Sequence, residues 1–126
     1  MFLSRAQQVA LAALPLLDGR GPTAKGRGVK ELAAGAKVPA PFLAKVLQRL
    51  AGRGLLRSKR GRSGGFVLGR PASEITLADV VLALEGKDDL EAAFPPMAGP
   101  VENVLGPARR RVLEALRTST LEELVP

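Results

Sequence analysis

Two apolar stripes of helical spacing, separated by Lys37-Val38-Pro39, constrain this chain more than any other feature. Val29, Leu32 and Ala33 repeat as the buried face of a short helix over 29–36. Phe42, Leu43, Val46, Leu47 and Leu50 do the same for a second helix over 41–51, and Pro39 suits entry into it. The free face of the second helix shows Pro41, Ala44, Lys45, Gln48 and Arg49. Two short helices joined this tightly, the second cationic on its outer face, are the pattern of a helix-turn-helix.

The residues beyond the second helix narrow the pattern. Gly54 stops that helix, and Leu55 to Lys59 and Phe66 to Gly69 are short β-prone runs joined by the loop RGRSGG, which predicts a hairpin. Gly61, Gly64 and Gly65 allow positive φ in that loop, so the hairpin lifts Arg60 and Arg62 away from the core. Arginines presented this way suit phosphates or a narrow minor groove. Behind a helix-turn-helix, such a hairpin is a wing.

The flanking segments complete a mainly α fold. Ser4 with Gln7 forms a capping-box signature for a first helix with the stripe Ala6, Val9, Ala10, Ala13, Leu14 and Leu17, which Pro15 bends near its end. The apolar run Val9 to Leu17 is too short for a membrane span, follows Gln7 and Gln8, and lacks the small-x-small cleavage pattern of a secretion signal, so a soluble cytoplasmic protein is expected. Residues 19–28 read as a cationic loop rich in Gly and Pro. Thr76 with Asp79 caps a helix from Leu77 to Glu85, closed by Gly86. Residues 87–104 read as a linker. Pro107 suits the first turn of a last helix to Arg117, and Thr120 with Glu123 opens a terminal turn. The resulting division is a winged helix-turn-helix head over 1–86, a linker over 87–104, and a dimerisation helix with its terminal turn over 105–126. The stripe of that last helix, Leu105, Ala108, Val112, Leu113 and Leu116, exceeds what a small head covers, and a second copy of the chain is its simplest partner. The competing reading folds the helix back onto its own head.

Charge is distributed unevenly. Residues 1–73 hold 14 bases and 2 acids, whereas 74–126 hold 5 bases and 10 acids, and no acid lies between Glu31 and Glu74. An acid-free cationic span of this length points to a polyanion partner. The chain has neither Cys nor His, which excludes disulfides, cysteine-ligated clusters and Ser-His or Cys-His catalysis within it. No enzyme chemistry can be assembled from its remaining acids, and no cofactor is expected.

The stretch FLAKVLQRLAGRGLLRSKRGRSGGFVLGRPASEITLADVVLALEG, from Phe42, resembles the Rrf-two type of bacterial winged-helix regulators. The resemblance rests on Arg60-Gly61 to Gly64-Gly65-Phe66, Leu68-Gly69, and the run from Ile75-Thr76-Leu77 to Ala83-Leu84-Glu85-Gly86, and extends in kind to the first and last helices. It implies a dimeric DNA-binding transcription regulator, expected to act as a repressor on a near-palindromic operator. By position, the recognition helix is Ala40 to Ala51 and the wing Lys59 to Phe66. DNA-binding residues are then Ala40, Pro41, Ala44, Lys45, Gln48 and Arg49 of the helix, with Arg57, Lys59, Arg60, Arg62, Ser63, Gly64 and Gly65 of the hairpin. Lys45 and Gln48 suit base edges, and Arg49, Arg57 and Arg60 suit phosphates. Two departures stand out. The family's cluster-binding members carry three cysteines in the region matching 87–104, and this chain has none; Ala44 occupies the place of a specificity-determining Glu in the iron–sulfur regulator. Regulation stays open between a small-molecule effector, a protein on the acidic segment Asp88 to Glu102, and constitutive repression. A winged head that binds RNA or protein instead of DNA is the alternative reading; RNA readers usually carry aromatics for base stacking, and this chain has four Phe and no Tyr or Trp, with Phe66, the only one in the wing, explained by packing under the hairpin.

Overall fold

The computed structural model describes residues 3–61 and 64–126. Helix α1 (Arg5–Ala13) opens with the expected capping box, in which Ser4 Oγ accepts from the Gln7 N–H and Gln7 Oε1 accepts from the Ser4 N–H. Pro15 ends the α-helical ladder, and the chain continues as a 3-10 turn over Leu14–Leu16. Helix α2 (Val29–Ala36) follows, then α3 (Ala40–Gly52), β1 (Leu56–Lys59), β2 (Gly65–Leu68), α4 (Leu77–Glu85), α5 (Leu90–Ala93) and α6 (Pro100–Thr118), with 3-10 turns at Ala72–Glu74 and Leu121–Leu124.

The core lies where the stripes predict. Leu32, Leu43, Leu47 and Leu50 are fully covered, joined by Val9, Ala10 and Leu14 from the first helix, Leu56 and Leu68 from the hairpin, and Val80 and Leu84 from α4. Strands β1 and β2 pair antiparallel in the register Leu56 to Leu68 and Lys59 to Gly65. Every second residue of such a strand faces the same side, so Leu56 and Leu68 meet on the face that covers the helices.

Residues 19–28 form a loop that is tied to the hairpin at two points. Arg27 bridges Phe66 antiparallel, its N–H donating to the Phe66 carbonyl at 3.0 Å and its carbonyl accepting from the Phe66 N–H at 2.8 Å. Lys59 Nζ also donates to the Ala24 carbonyl at 2.6 Å. A single paired residue leaves no mark in the sequence, because it carries no period and its neighbours are Gly.

The last third also differs from expectation. Within 87–104 the chain forms α5, capped by Asp89 Oδ1 accepting from the Ala92 N–H, and α6 begins at Pro100 rather than Pro107. Pro107 therefore sits inside a helix, where its missing N–H leaves only the carbonyl four residues earlier without its ladder bond. The early turns are held instead by Glu102, which accepts from the Met97 N–H at 2.9 Å and pairs with Arg109 two turns along. The expected dimerisation stripe consequently splits. Leu113 and Leu116 belong to the subunit's own second cluster, with Ala78, Val81, Leu90 and Phe94, because α6 packs back on α4. Leu105 and Ala108 remain exposed with Val101 and Val104, the latter 75 % exposed, and Val112 lies at the boundary. The terminal turn docks as well, through Leu121, whose N–H donates to the Ile75 carbonyl at 2.9 Å.

Gly65 and Gly61 test the wing junction. Both have positive φ, but a Cβ on Gly65 would collide with the Arg27 carbonyl whereas one on Gly61 meets open space. Gly65→Ala is expected to cost about 3 kcal/mol and to abolish the Arg27 bridge. Gly61→Ala should cost only the left-handed backbone penalty, about 1 kcal/mol. Urea midpoints of the two variants check this, and equal losses would show that the Arg27 junction does not govern the wing.

Candidate nucleic-acid interface

The turn between α2 and α3 fixes how the second helix leaves the head. Lys37 takes a left-handed conformation (φ 58°) as the α2 cap, and the Val38 N–H donates back to the Ala33 carbonyl at 3.0 Å. Pro39 then serves as the extended residue before α3, with its carbonyl accepting from the Leu43 N–H. Once Leu43, Val46, Leu47 and Leu50 are buried, helical geometry directs the opposite face outward. That face carries exposed Pro41, Lys45 and Gln48, with Ala40 and Ala44 half-buried beside them. Neither the Lys45 nor the Gln48 side chain has a hydrogen bond or ion pair to any described residue, so both are available to a partner.

The remaining expected contacts divide by where their charge goes. Arg57 and Arg60 are exposed and likewise have no such bond among the described residues. Arg49, by contrast, donates from Nη2 to the Leu84 carbonyl near the end of α4. It thereby supplies a cation and a donor where helix carbonyls lack partners. Lys59 spends its ammonium on Ala24. Gly64 and Gly65 are shaped by close backbone approaches: a Cβ on Gly64 would come within 2.6 Å of the carbonyl oxygens of Lys59 and Gly61. Arg62 and Ser63 lie outside the described residues. Lys25, from the loop read as cationic, joins the set although it is not among the expected contacts. It is exposed and immediately follows Ala24, which Lys59 holds beside the wing tip.

Behind this surface, two polar ties lock α4 to the head. Gln7, fully buried, donates to the Val81 carbonyl at 3.2 Å and to Glu85 Oε2 at 2.8 Å. Its capping role is legible in sequence; its long-range role is not, since a Gln three residues after a Ser explains itself locally. The second tie is Arg49 to Leu84.

Arg109 organises the segment beyond α4. Only 4 % exposed, its guanidinium donates to Glu91 Oε2, Glu102 Oε1 and the Phe94 carbonyl, each at 3.1 Å, while Nε has no partner. Burial disfavours the charged form, yet the hydrogen bonds to Glu102 and Glu91 outweigh it and raise the Arg109 pKa. Arg110 and Arg117 add outer ion pairs to Glu102 and Glu91.

A helix-turn-helix, a two-stranded wing and a helix packed behind them define a winged-helix domain. Known proteins agree with that class. Residues 3–126 match the family model described as Rrf2, iron-dependent transcriptional regulator. The chain is 38 % identical over 106 residues to a protein of Mycobacterium tuberculosis classed as an HTH-type transcriptional regulator, covering 79 % of this chain and 65 % of that one. It is 30 % identical over 106 residues to the HTH-type regulator CymR of Bacillus subtilis, covering 84 % and 74 %. The solved structure of CymR, the global cysteine regulator of B. subtilis, superposes with a TM-score of 0.79 at 25 % identity, over 99 % of this chain and 96 % of that one. The chain belongs to the Rrf2 family. Its relatives and fold are those of transcriptional regulators, not of enzymes. It spans about two thirds of the length of the mycobacterial relative it matches. No helix of the described residues is long and apolar enough to cross a membrane.

The family description invokes iron, and the residues here do not fit it. The chain has no Cys or His, and the described residues hold no group of three acidic side chains placed as ligands. Of the four acids of the 87–104 segment, Glu91 and Glu102 are turned onto arginines and Asp89 caps α5.

That arrangement makes a pH prediction. The Met97 N–H, with Arg109 and Arg110 and against the effect of burial, holds the Glu102 carboxyl below its usual range. A carboxyl whose folded pKa is depressed contributes stability present above the unfolded value, about 4.3, and lost as pH falls through the folded value. The urea midpoint is therefore expected to drop below about pH 4.3 more steeply in the wild type than in Glu102→Gln. Asp18, drawn down to about 2 by its Arg20 hydrogen bonds, is present in both proteins and cancels in the comparison. Parallel pH profiles would show that Glu102 stores none of this stability.

Proposed function

We propose that the protein is a DNA-binding transcription regulator, a repressor working in the cytoplasm as a homodimer on a near-palindromic site, without an iron–sulfur cluster of its own ligands. One observation carries the reading. On the outer face of α3 and on the hairpin, Lys45, Gln48, Arg57 and Arg60 are exposed and unpaired among the described residues, while the cations behind them are bound to the protein's own carbonyls. Partner-free cations on a rigid support suit an external polyanion.

Roles divide accordingly. Lys45 and Gln48 sit where a recognition helix meets base edges, Lys favouring guanine acceptors and Gln adenine. Arg57 and Arg60 hold phosphates, and Lys25 joins them from the bridged loop. Arg49 and Lys59 position the helix and hairpin rather than touch DNA. Ala40, Pro41, Ala44, Gly64 and Gly65 provide close approach without competing side chains, and Arg62 and Ser63 complete the loop. The exposed part of the α6 stripe, Val101, Val104, Leu105 and Ala108, pairs two chains so that their recognition helices enter successive major grooves roughly 34 to 36 Å apart.

Arg60→Ala is expected to weaken binding similarly on every duplex and to make the salt slope shallower by about one unit. Lys45→Ala should instead change the preference between sites. Filter binding across a salt series and a set of operator variants reads both; a slope unchanged by Arg60→Ala, or an equal loss at all sites for Lys45→Ala, would remove the assigned role. Competition by structured RNA as strong as by duplex DNA would favour RNA binding instead.

Leu105→Glu is expected to yield folded monomers in sedimentation equilibrium. Leu113→Ala should leave association intact but cost about 2–5 kcal/mol of stability, because its side chain fills the subunit's own core. Dimers persisting in Leu105→Glu would place the subunit interface elsewhere.

A further inference from the structure

At the root of the wing, three cations from three separate elements surround one cavity. Arg53 caps α3, Arg70 follows β2, and Lys87 follows the α4 cap at Gly86; between them Leu55, Leu82 and Ala83 form an apolar floor. The depression is open to solvent and holds about 310 Å³, at the lower end of small-ligand sites, roughly 300–1,000 Å³. Arg53 reaches across toward Gly86, where an added Cβ would lie 3.8 Å from its Nη2.

The Arg53 and Lys87 charges are not taken up by neighbouring elements. The last carbonyls of α3 already accept from the backbone N–H groups of Arg53, Gly54 and Leu55. At the end of α4, the Leu82 carbonyl accepts from the Gly86 N–H and the Leu84 carbonyl from Arg49. Asp79, one of two acids at the rim, is committed to the Thr76 N–H at 2.9 Å and to Arg70 at 3.3 Å. Asp88 is exposed and makes no ion pair among the described residues, and Arg53 and Lys87 have no partner among them either. Two cationic side chains without ion pairs among the described residues, lining one depression with Leu55, Leu82 and Ala83, suit a ligand with an anionic oxygen group at one end and a short carbon body.

We infer that this cavity binds a small organic anion, a carboxylate or a phosphate monoester, held by Arg53 and Lys87. The inference rests on the DNA-binding reading only for its consequence. The cavity lies at the Leu56 to Leu68 end of the hairpin, the tip at the Lys59 to Gly65 end about 10 Å away. A bound anion would therefore join the end of the recognition helix to the start of the 87–104 segment without occupying the tip. Any anion that binds more tightly to one arrangement of α3 and α4 changes DNA affinity by the same factor by which DNA changes its own.

The test uses the DNA-free protein, at constant ionic strength, titrated separately with inorganic phosphate, glycerol phosphate, succinate and citrate, with chloride as control. Saturable amide shifts at Arg53, Gly54 and 86–88 are expected with at least one probe. Arg53→Gln and Lys87→Gln should each weaken that binding at least tenfold while leaving the urea midpoint unchanged. Shifts no larger than those of chloride for all four probes, or equal binding by the variants, overturn the inference. So does a shallower DNA salt slope in Lys87→Gln without any small-anion binding, which would make the cavity a contact for DNA phosphate. Failure of the protein to bind any duplex would remove the proposed function but leave the anion titration standing.

Discussion

Burial of the Leu43, Leu47 and Leu50 ridge is the constraint on which the remainder of the molecule depends. These three side chains lie at the bottom of the head, and their helix can satisfy them in only one rotation about its axis. That rotation presents Lys45 and Gln48 to solvent, and it places Arg49 at the flank where it reaches the Leu84 carbonyl. The left-handed Lys37 and the extended Pro39 set the direction in which the helix starts. Specific surface chemistry here is a consequence of core packing, since the apolar side decides what the polar side shows.

Electrostatics sorts the cations into two populations. Arg27, Arg49, Lys59 and Arg109 each donate to a main-chain carbonyl, and each thereby fastens a segment that lacks enough apolar surface to hold itself. Hydrogen bonds from charged donors are stronger than neutral ones, which suits them to short loops and helix ends. Lys25, Lys45, Arg57 and Arg60 make no such bond among the described residues. The high positive charge of the first 73 residues is thus partly structural, and a count of bases alone overstates the surface available to a polyanion.

Local signals carry the legible part of the fold. The capping boxes at Ser4, Thr76 and Thr120, the helical stripes of α3 and α4, and the glycine cap at 86 each lie within a few residues of what they determine, and all recur in the structure. The family resemblance carries the class, and the outer face of α3 follows from the stripe. Illegible are the pairings between distant residues: Arg27 with Phe66, Gln7 with Val81, Lys59 with Ala24 and Arg109 with Glu91. Each needs a donor to find one particular partner across the fold, and donors of the same type are abundant. The start of α6 is hidden for a related reason. Pro107 reads as a first helical residue, and the preceding turns are held by Glu102, which accepts from the Met97 N–H and pairs with Arg109 and Arg110. The split of the last stripe is the result, because a helix entered seven residues earlier packs against α4 along a different length.

Helix α4 is the wall shared by the two halves of the molecule. Val80 and Leu84 close the head cluster, whereas Ala78 and Val81 face Leu90, Phe94, Leu113 and Leu116. A helix packed on both sides couples the two clusters, because close-packed interiors transmit displacement. Its polar ties are arranged to match: Gln7 fixes its middle to α1, Arg49 fixes its end to α3, and the Leu77 N–H meets the Ser119 carbonyl where α6 ends. The segment between α4 and α6 has no Cys or His to gather around a metal, yet it is ordered by Arg109, whose buried charge tolerates its site only while Glu91 and Glu102 are ionised against it. In this chain the segment between α4 and α6 is therefore held by ion pairs and by packing against α4.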